Sequence, residues 1–541
     1  MADIELKPLP LGTSDFSVLR SAGQIYVDKT ALIYELASKR QKFFLARPRR
    51  FGKSLLISTF ESLFKYGLRD FKGLAIENLW KEESNYQVVR LDFSRVKPGN
   101  SAKEFASDLD EYLTFCFEEI GFKRADYGSI FNQIERFLKR MSGSSLVLLI
   151  DEYDAPLTAC MNNLELFNAV RKNLSDFYAV IKSNDGAVRF FFMTGITKFN
   201  KTGIFSELNN LKDISLLPNF GALLGYTHEE VTHNFNGYLV ESAKQLGIEE
   251  DKLLKELTRY YDGFCFERTA KCHVFAPWSL LNFFSEPGIG FVNYWYESGG
   301  QPKVLLEYIK SHNIRQPSEY LAEKEVSLDG LSASSSVSDV DDNVLLAQAG
   351  YLTVKKVEGD TVTLGYPNQE VAQSMARLYT EVMLSKDAMN RAGKRFLTTL
   401  LKKGDAPGFV KELNKIFLGV DYTKYPVQDE ASCRAAVYLM LRCTGLEPLM
   451  EVHNGLGRSD MEVDTGDIHW VLEFKFTKEK DSARELCEKG KEQVKTRRYG
   501  EQFERKQLRR LVLVFVQKEK QFVCWEEVDG YERRSLPQQK P

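Results

Sequence analysis

Runs that are apolar at nearly every position recur in the N-terminal part of the chain, at Phe43–Ala46, Val88–Phe93, Leu146–Ile150 and Val188–Met193. Leu146-Val147-Leu148-Leu149-Ile150 has no polar residue at all, which suits a strand covered on both faces rather than one with a solvated side. Alternation of such runs with helical stretches predicts an α/β domain built on a parallel sheet. From about Gly225 to Leu384 the pattern turns mainly helical, with a β-like section near Leu352–Leu364. That predicts a helical lid with a winged-helix-like unit, packed on the first domain and transmitting its state, with direct DNA reading as the alternative. Further on, His469–Phe476 alternates strictly, with Trp470, Leu472, Phe474 and Phe476 on one face and Val471, Glu473 and Lys475 on the other. Leu511–Val516 reads as another buried strand of the same sheet. The expected organisation is therefore 1–224, 225–386 and 387–541, with the last domain starting near Asp387–Phe396. Leu331–Asp342 is small, polar and acidic, and reads as a loop or insertion.

Parallel sheets bind ligands at the carboxyl ends of their strands, and the informative polar residues fall there. Gly52-Lys53-Ser54 follows the first strand and opens a helix over Leu55–Tyr66, the arrangement of a phosphate-binding loop. Backbone N–H groups at Arg50, Phe51 and Gly52, leading into that helix start, favour phosphate oxygens. Lys53 would reach the β- and γ-phosphates of ATP, and the Ser54 hydroxyl would bind Mg²⁺. The third strand ends in Asp151-Glu152, with Asp151 placed to hold magnesium and Glu152 to orient or deprotonate the attacking water. The fourth ends at Thr194-Gly195, where the hydroxyl would sense a γ-phosphate. Arg47 stands where the loop's first glycine is usual, and Pro48 stiffens the turn further. Arg47, Arg49 and Arg50 either contact phosphates or acidic partners, or form an exposed basic loop.

A second constellation lies near the C-terminus. Asp464-Thr465-Gly466-Asp467 is a turn signal, so residues 459–463 form the preceding antiparallel strand. Pairing Val463 with Ile468 sets Asp460 opposite Val471, on the face that carries Glu473 and Lys475, with Glu473 its diagonal neighbour. Two carboxylates so placed converge on one hard cation, Mg²⁺ or Mn²⁺. With the Phe474 carbonyl they would hold it for a hydrolytic role, Lys475 stabilising developing negative charge. A slip of one residue would turn Asp460 away and destroy the site. Glu430, at the start of the helix-like stretch Glu430–Leu441, is either a further ligand or a first-turn acid complementing the helix dipole.

Composition narrows the partners. The 541 residues are 43% apolar and 27% charged, with a net charge of −2, so any nucleic-acid surface must be local. Residues 475–510 provide one candidate, with 13 Lys/Arg against 7 Asp/Glu. Lys495, Arg497 and Arg498 there would give sequence-independent phosphate contacts to DNA or RNA. Eight scattered cysteines with no CxxC pair argue for a reducing compartment. No secretory signal and no membrane-spanning apolar stretch is read, so a soluble, intracellular, cytoplasmic protein with no membrane partner is expected.

RPRRFGKSLL, LIDEYDAPL, FFFMTGITKFNKTGIFSELNNLKDIS and YVDKTALI resemble the predicted AAA-ATPase-like family of P-loop proteins. The likeness continues through YDGFCF, APWSLLNF, AGYLTV and YPNQEV. It ends in the PD-(D/E)XK nuclease-like domain often joined to this ATPase, and so spans nearly the whole chain. The resemblance makes Arg47 a family feature. It also matches Gln493 to a glutamine that often follows the ExK strand, and Tyr499 to an aromatic of this family. It implies roles for Asp28 and for Phe205–Asp213, as sensor or interdomain contact, for which the residues alone offer no chemistry. AAA-like sites often borrow a neighbouring subunit's arginine, which leaves room for a homo-oligomer. The expected function is an ATPase whose nucleotide state controls a Mg²⁺-dependent DNA or RNA phosphodiesterase. The alternative is an NTPase switch whose nuclease-like domain docks nucleic acid or protein without cutting.

Overall fold

Each apolar run of the N-terminal part is a strand: β1 (Lys42–Ala46), β2 (Gln87–Asp92), β3 (Leu146–Asp151) and β4 (Val188–Gly195), joined by a short β5 (Leu211–Asp213). In the computed structural model they lie in the order β2-β3-β4-β1-β5, every neighbouring pair parallel. β1 and β3 are buried along their whole length, which is why neither alternates in sequence. Described residues are 6–83, 85–141, 143–198, 208, 210–297, 307, 316–332, 341–393, 396–501 and 506–528. Parts of the Phe205–Asp213, Leu331–Asp342 and Asp387–Phe396 stretches lie outside them. The chain divides into two compact units, Met1–Asn313 with Glu323–Ala372, and Ile314–Ala322 with Gln373–Pro541.

In the first unit the middle region is helical, as its pattern predicts. Helices His228–Asn234, Asn236–Leu246, Glu250–Tyr261 and Pro277–Ser285 close around Phe235, Leu257, Tyr261 and Phe283. The strand pair β6 (Phe264–Cys265) and β7 (His273–Val274) carries Phe264 beneath the phosphate loop. There Phe51 packs edge-on against Phe264 and Phe266, ring centroids 4.9 Å away in each case, with Trp295 at 6.4 Å. The expected β-like section is the hairpin β9 (Thr353–Glu358) and β10 (Thr361–Gly365). A further strand, β8 (Lys324–Ser327), pairs with β10; its polar sequence, Lys-Glu-Val-Ser, hid it.

The second unit is built on a sheet in the order β11 (Leu449–Asn454), β12 (Gly457–Asp464), β13 (Ile468–Thr477), β14 (Gln507–Val516) and β15 (Gln521–Val528). Only β13 and β14 run parallel. On one face Trp470 Nε1 donates to the Leu401 carbonyl at 3.0 Å, and Phe417 packs against Phe515 and Phe522. On the other, helix Ala483–Thr496 covers Val471, Val512 and Val514 through Cys487 and Val494. Gly490 lets that helix come close: a Cβ there would sit 2.6 Å from Val512 Cγ1 and 3.7 Å from Lys475 Cγ. Among the described residues no helix is long and apolar enough to cross a membrane.

One buried acid makes the first unit's stability depend on pH. Glu370 is fully buried, accepting from Ser279 Oγ at 2.8 Å and the Trp295 N–H at 2.9 Å. Burial pushes its carboxyl up to about 8 despite those donors. The unfolded chain releases this proton near the ordinary carboxyl value while the fold retains it. The group's contribution therefore falls as pH rises, until the folded carboxyl ionises near 8. Glu370→Gln should remove this loss. In urea denaturation between pH 5 and 8, its stability relative to wild type should rise with pH by up to about 1.4 kcal/mol per unit; a gap independent of pH would contradict the role given to burial.

Candidate functional site

The phosphate loop takes its shape from below. Arg47 is buried, with Nη1 donating to the carbonyls of Ala46 and Ser215 at 2.8 Å and Nη2 to that of Phe220 at 3.2 Å. Its guanidinium lies 4.6 Å over the Phe266 ring. Neither expectation for Arg47 holds, since it is no exposed basic residue and its Nη1 and Nη2 groups donate to backbone carbonyls, while Nε has no hydrogen-bond partner. Burial pushes it down to about 10, against the pull of Asp213, so it remains charged at neutral pH. Above it Gly52, at φ 93°, caps helix Lys53–Tyr66, which starts two residues earlier than Leu55. Only glycine adopts that backbone angle without strain. Phe51 is core on its side-chain side, so only its backbone can face a phosphate. Lys53 is buried and donates to the Arg47 and Pro48 carbonyls at 3.0 and 2.9 Å, and burial lowers its pKa.

Arg49, Arg50, Gly52, Lys53, Ser54 and Glu152 are among the residues lining a cavity of about 440 Å³. Glu152 follows β3 with a left-handed backbone, φ 48°, a strained conformation for glutamate. Its carboxylate lies 3.6 Å from Arg49 Nη2. Burial raises its pKa, and Arg49 opposes the shift. Asp151 Oδ1 accepts from Thr194 Oγ1 at 2.6 Å and from the Glu152 N–H at 3.1 Å. Thr194 is therefore not a free γ-phosphate sensor. β3 and β4 are neighbours in register, Ile150 beside Met193, so the threonine hydroxyl meets the aspartate and fixes its orientation.

Sequence reasoning passed over Tyr153 and Asp154. Asp154 is buried and accepts from the N–H groups of Ile196 and Thr197 and from Thr197 Oγ1. Tyr153 donates to the Thr197 carbonyl at 2.8 Å. Together they pin the turn after β4. Gly195 is obligatory within it, because a Cβ would lie 2.6 Å from the Tyr153 ring. Asp28 is structural as well. It accepts from Thr30 N–H and Oγ1 and from the Ala75 N–H, tying helix Thr30–Ala37 to the segment at Ala75.

In the second unit the hairpin register differs from the one expected. Asp464 pairs with His469, Val463 with Trp470 and Met461 with Leu472, two residues away from the Val463–Ile468 pairing. The turn is longer because Thr465 N–H and Oγ1 both bond the Ile468 carbonyl, while Asp464 Oδ1 accepts from Gly466 N–H. A shift of two preserves side-chain parity. Asp460 therefore stays on the face of Glu473 and Lys475, and its Oδ2 accepts from the Phe474 N–H at 2.8 Å. Glu473 is fully buried: Oε1 accepts from Lys475 Nζ at 2.7 Å, and Oε2 has no hydrogen-bond partner. Burial first, then the Asp460 carboxylate, push Glu473 up to about 7, with Lys475 working against them. Burial lowers Lys475, but Glu473, with Glu430 and Asp460, offsets that and its net shift is upward. Lys475 also donates to the Phe474 carbonyl at 3.0 Å.

An orphaned buried carboxylate oxygen beside a second carboxylate and a carbonyl fits a hard divalent cation. The fit is partial. Arg434, from helix Glu430–Cys443, puts Nη1 2.5 Å from Asp460 Oδ1, so a cation using that oxygen has to displace the guanidinium. Glu430 opens the same helix, where Asp429 provides the capping box with Ser432. Burial raises Glu430, with Lys475 opposing and Asp460 reinforcing the shift. Among the described residues no three His, Cys, Asp or Glu side chains converge as a ready-made metal site. Of the expected nucleic-acid contacts, Lys495, Arg497 and Arg498 are exposed at the end of helix Ala483–Thr496. Tyr499 is not: it is fully buried, and its hydroxyl accepts from Gln493 Nε2 at 3.3 Å. It holds Gln493 in place rather than meeting a ligand.

Two family models match the chain, one described as predicted AAA-ATPase over residues 10–205 and one as PD-(D/E)XK nuclease superfamily over residues 428–526. An Azotobacter chroococcum mcd 1 protein, described as an uncharacterized protein in the vnfD 5' region, is 30% identical over 518 residues, covering 92% of this chain and 94% of its own.

Arg47→Ala should destabilise the first unit by about 3 kcal/mol or more, since three carbonyls lose their donors and a cavity opens beside Phe266. Arg47→Lys should recover only part, because an ammonium cannot serve diverging acceptors while stacking on a ring. Denaturant midpoints measure both; a stable Arg47→Ala protein would refute the strut.

Proposed function

We propose that this chain, which belongs to the predicted AAA-ATPase family and ends in a PD-(D/E)XK nuclease-superfamily domain, uses ATP binding and hydrolysis to control cleavage of DNA or RNA phosphodiester bonds. The observation that carries it is the occurrence of both constellations in one chain: Lys53, Ser54, Asp151 and Glu152 in the first unit, Asp460, Glu473 and Lys475 in the second. In the ATPase, Lys53 leaves the loop carbonyls for the β- and γ-phosphates, and the backbone N–H groups of Arg50 to Gly52 cradle them. Ser54 and Asp151 hold the nucleotide's Mg²⁺, Thr194 keeps Asp151 oriented, and Glu152 orients the attacking water. Because Phe51 is wedged among Phe264, Phe266 and Trp295, movement of the phosphate loop is felt directly by the helical region, which supports the reading of residues 225–386 as a lid.

In the nuclease domain Glu473, Asp460 and the Phe474 carbonyl would hold Mg²⁺ or Mn²⁺. Once bound, such an ion supplies an acidified water and neutralises charge on the scissile phosphate. Lys475, kept protonated by Glu473, stabilises negative charge developing on that phosphate. Lys495, Arg497 and Arg498 contribute contacts to the nucleic-acid backbone that weaken with salt. The Arg434 contact on Asp460 favours one further reading, in which the domain docks nucleic acid or protein without cutting and nucleotide state alone changes its partners.

Lys53→Ala should lower ATP hydrolysis at least about 10²-fold, and Glu473→Ala or Lys475→Ala should lower nuclease activity by about 10²–10³-fold while sparing ATPase. Assays with labelled single- and double-stranded DNA and RNA, with Mg²⁺ or Mn²⁺ and with ATP present or absent, decide the matter. Wild-type protein that hydrolyses ATP yet cuts none of these substrates would leave the docking reading in its place.

A further inference from the structure

The cavity above the phosphate loop is lined by two chemically distinct sets of residues. One is cationic, carrying Arg49 and Lys53 with Ser54 and Glu152. The other, formed by Tyr226, Pro277, Trp278 and Leu281, is aromatic and apolar. Trp278 is the second residue of helix Pro277–Ser285. The rest of that helix's first turn is buried, whereas the indole remains partly open to the cavity. Arg50 covers it: its guanidinium lies 4.2 Å over the indole ring, on a backbone in the left-handed region at φ 68°. A loop arginine in that conformation is strained, and it joins the two sets, belonging to the phosphate loop while lying over the indole.

Resting on the nucleotide reading above, the geometry points to Trp278 as the platform on which the nucleobase stacks, with Arg50 as its cover in the free protein. A cavity of about 440 Å³ is within the range that encloses a small-molecule ligand. A nucleoside triphosphate matches both sets, placing its phosphates on Lys53 and its base on the indole. Stacking of a base on an aromatic ring outweighs an exposed cation–π contact, so the base displaces Arg50. The displaced guanidinium, one residue from Phe51 and two from Gly52, then lies beside the incoming phosphates. Trp278 thus reads the presence of a base, and Lys53 the presence of phosphate.

Inorganic tripolyphosphate separates the two, because it carries the phosphates without a base. Isothermal titration of ATP and of tripolyphosphate, both with Mg²⁺, into wild-type, Trp278→Ala, Trp278→Phe and Lys53→Ala proteins is the test. Trp278→Ala should weaken ATP about tenfold to hundredfold and leave tripolyphosphate within about twofold. Trp278→Phe should keep ATP affinity within a few-fold, and Lys53→Ala should weaken both probes. Equal effects of Trp278→Ala on the two probes, or none on ATP, would overturn the platform while leaving the nucleotide site standing. Wild-type protein that binds neither probe would overturn both. Should Trp278→Ala fail to fold, wild-type fluorescence still decides: ATP but not tripolyphosphate should quench tryptophan emission, and Trp278→Phe should lose that quench. Wild-type emission that responds identically to both probes overturns the platform.

Discussion

A guanidinium taken out of water is costly unless most of its donors find acceptors. Arg47 finds three backbone carbonyls and an aromatic face. Those carbonyls belong to the end of β1 and to Ser215 and Phe220, so one side chain ties the start of the phosphate loop to the segment that follows β5. A glycine at this position would give the loop freedom; arginine gives it a floor. With the floor fixed, Pro48 continues the chain away from β1, and the loop's later residues rise into the cavity. Lys53 can then fold back on the carbonyls of Arg47 and Pro48. Incoming phosphates compete with two neutral acceptors for that ammonium, and a charged acceptor prevails in such an exchange.

The two units solve the same problem of orienting an acid carried by a sheet, by different means. In the first, Asp151 leaves a strand buried on both faces and is held by a hydroxyl from the adjacent parallel strand. In the second, Asp460 crosses to an antiparallel neighbour and is held by a backbone N–H. Both acids are followed in space by a glutamate whose carboxyl burial drives upward, Glu152 and Glu473. Each glutamate has a cation within reach that works against the shift, Arg49 or Lys475. Burial of this kind raises the reactivity of a carboxylate toward protons and cations, and it is costly to maintain without such a role.

The parts legible in the sequence were those fixed by burial or by parity. β1 and β3 stood out because a strand covered on both faces is apolar almost throughout, and β2 and β4 because their buried positions still form apolar runs. Short or half-exposed strands did not: β5 has three residues, β8 is polar, and β11 begins with an exposed Leu449. Alternation in β13 placed Asp460, Glu473 and Lys475 on one face, and that survived a register error of two because parity did. The register itself depended on whether Thr465 would fold its N–H and hydroxyl onto Ile468, which residue type alone leaves undecided. Arg47, Thr194 and Tyr499 were misread for a common reason. Each is a polar or amphipathic residue beside a site, and only the partners across the fold reveal whether it faces a ligand or the protein.

Backbone strain gives an independent guide to where function is concentrated. Among the described residues, non-glycine positive φ angles occur at Arg50, Ser144, Glu152, Ala270, Glu451, Arg498 and Lys520. Arg50 and Glu152 line the cavity above the phosphate loop. Glu451 pairs with Arg434, which in turn holds Asp460, and Arg498 ends the basic helix beside the hairpin. Strained residues persist only where surrounding contacts over-determine them, and four of these seven lie at or beside the two candidate sites. Glu152 is the sharpest case: Asp151 accepts its N–H, Arg49 holds its carboxylate, and the left-handed turn at its own α-carbon aims the side chain out of the sheet. Relaxing that turn would let the chain continue along β3 and carry the carboxylate away from the loop. The strain is therefore what keeps an acid at the cavity.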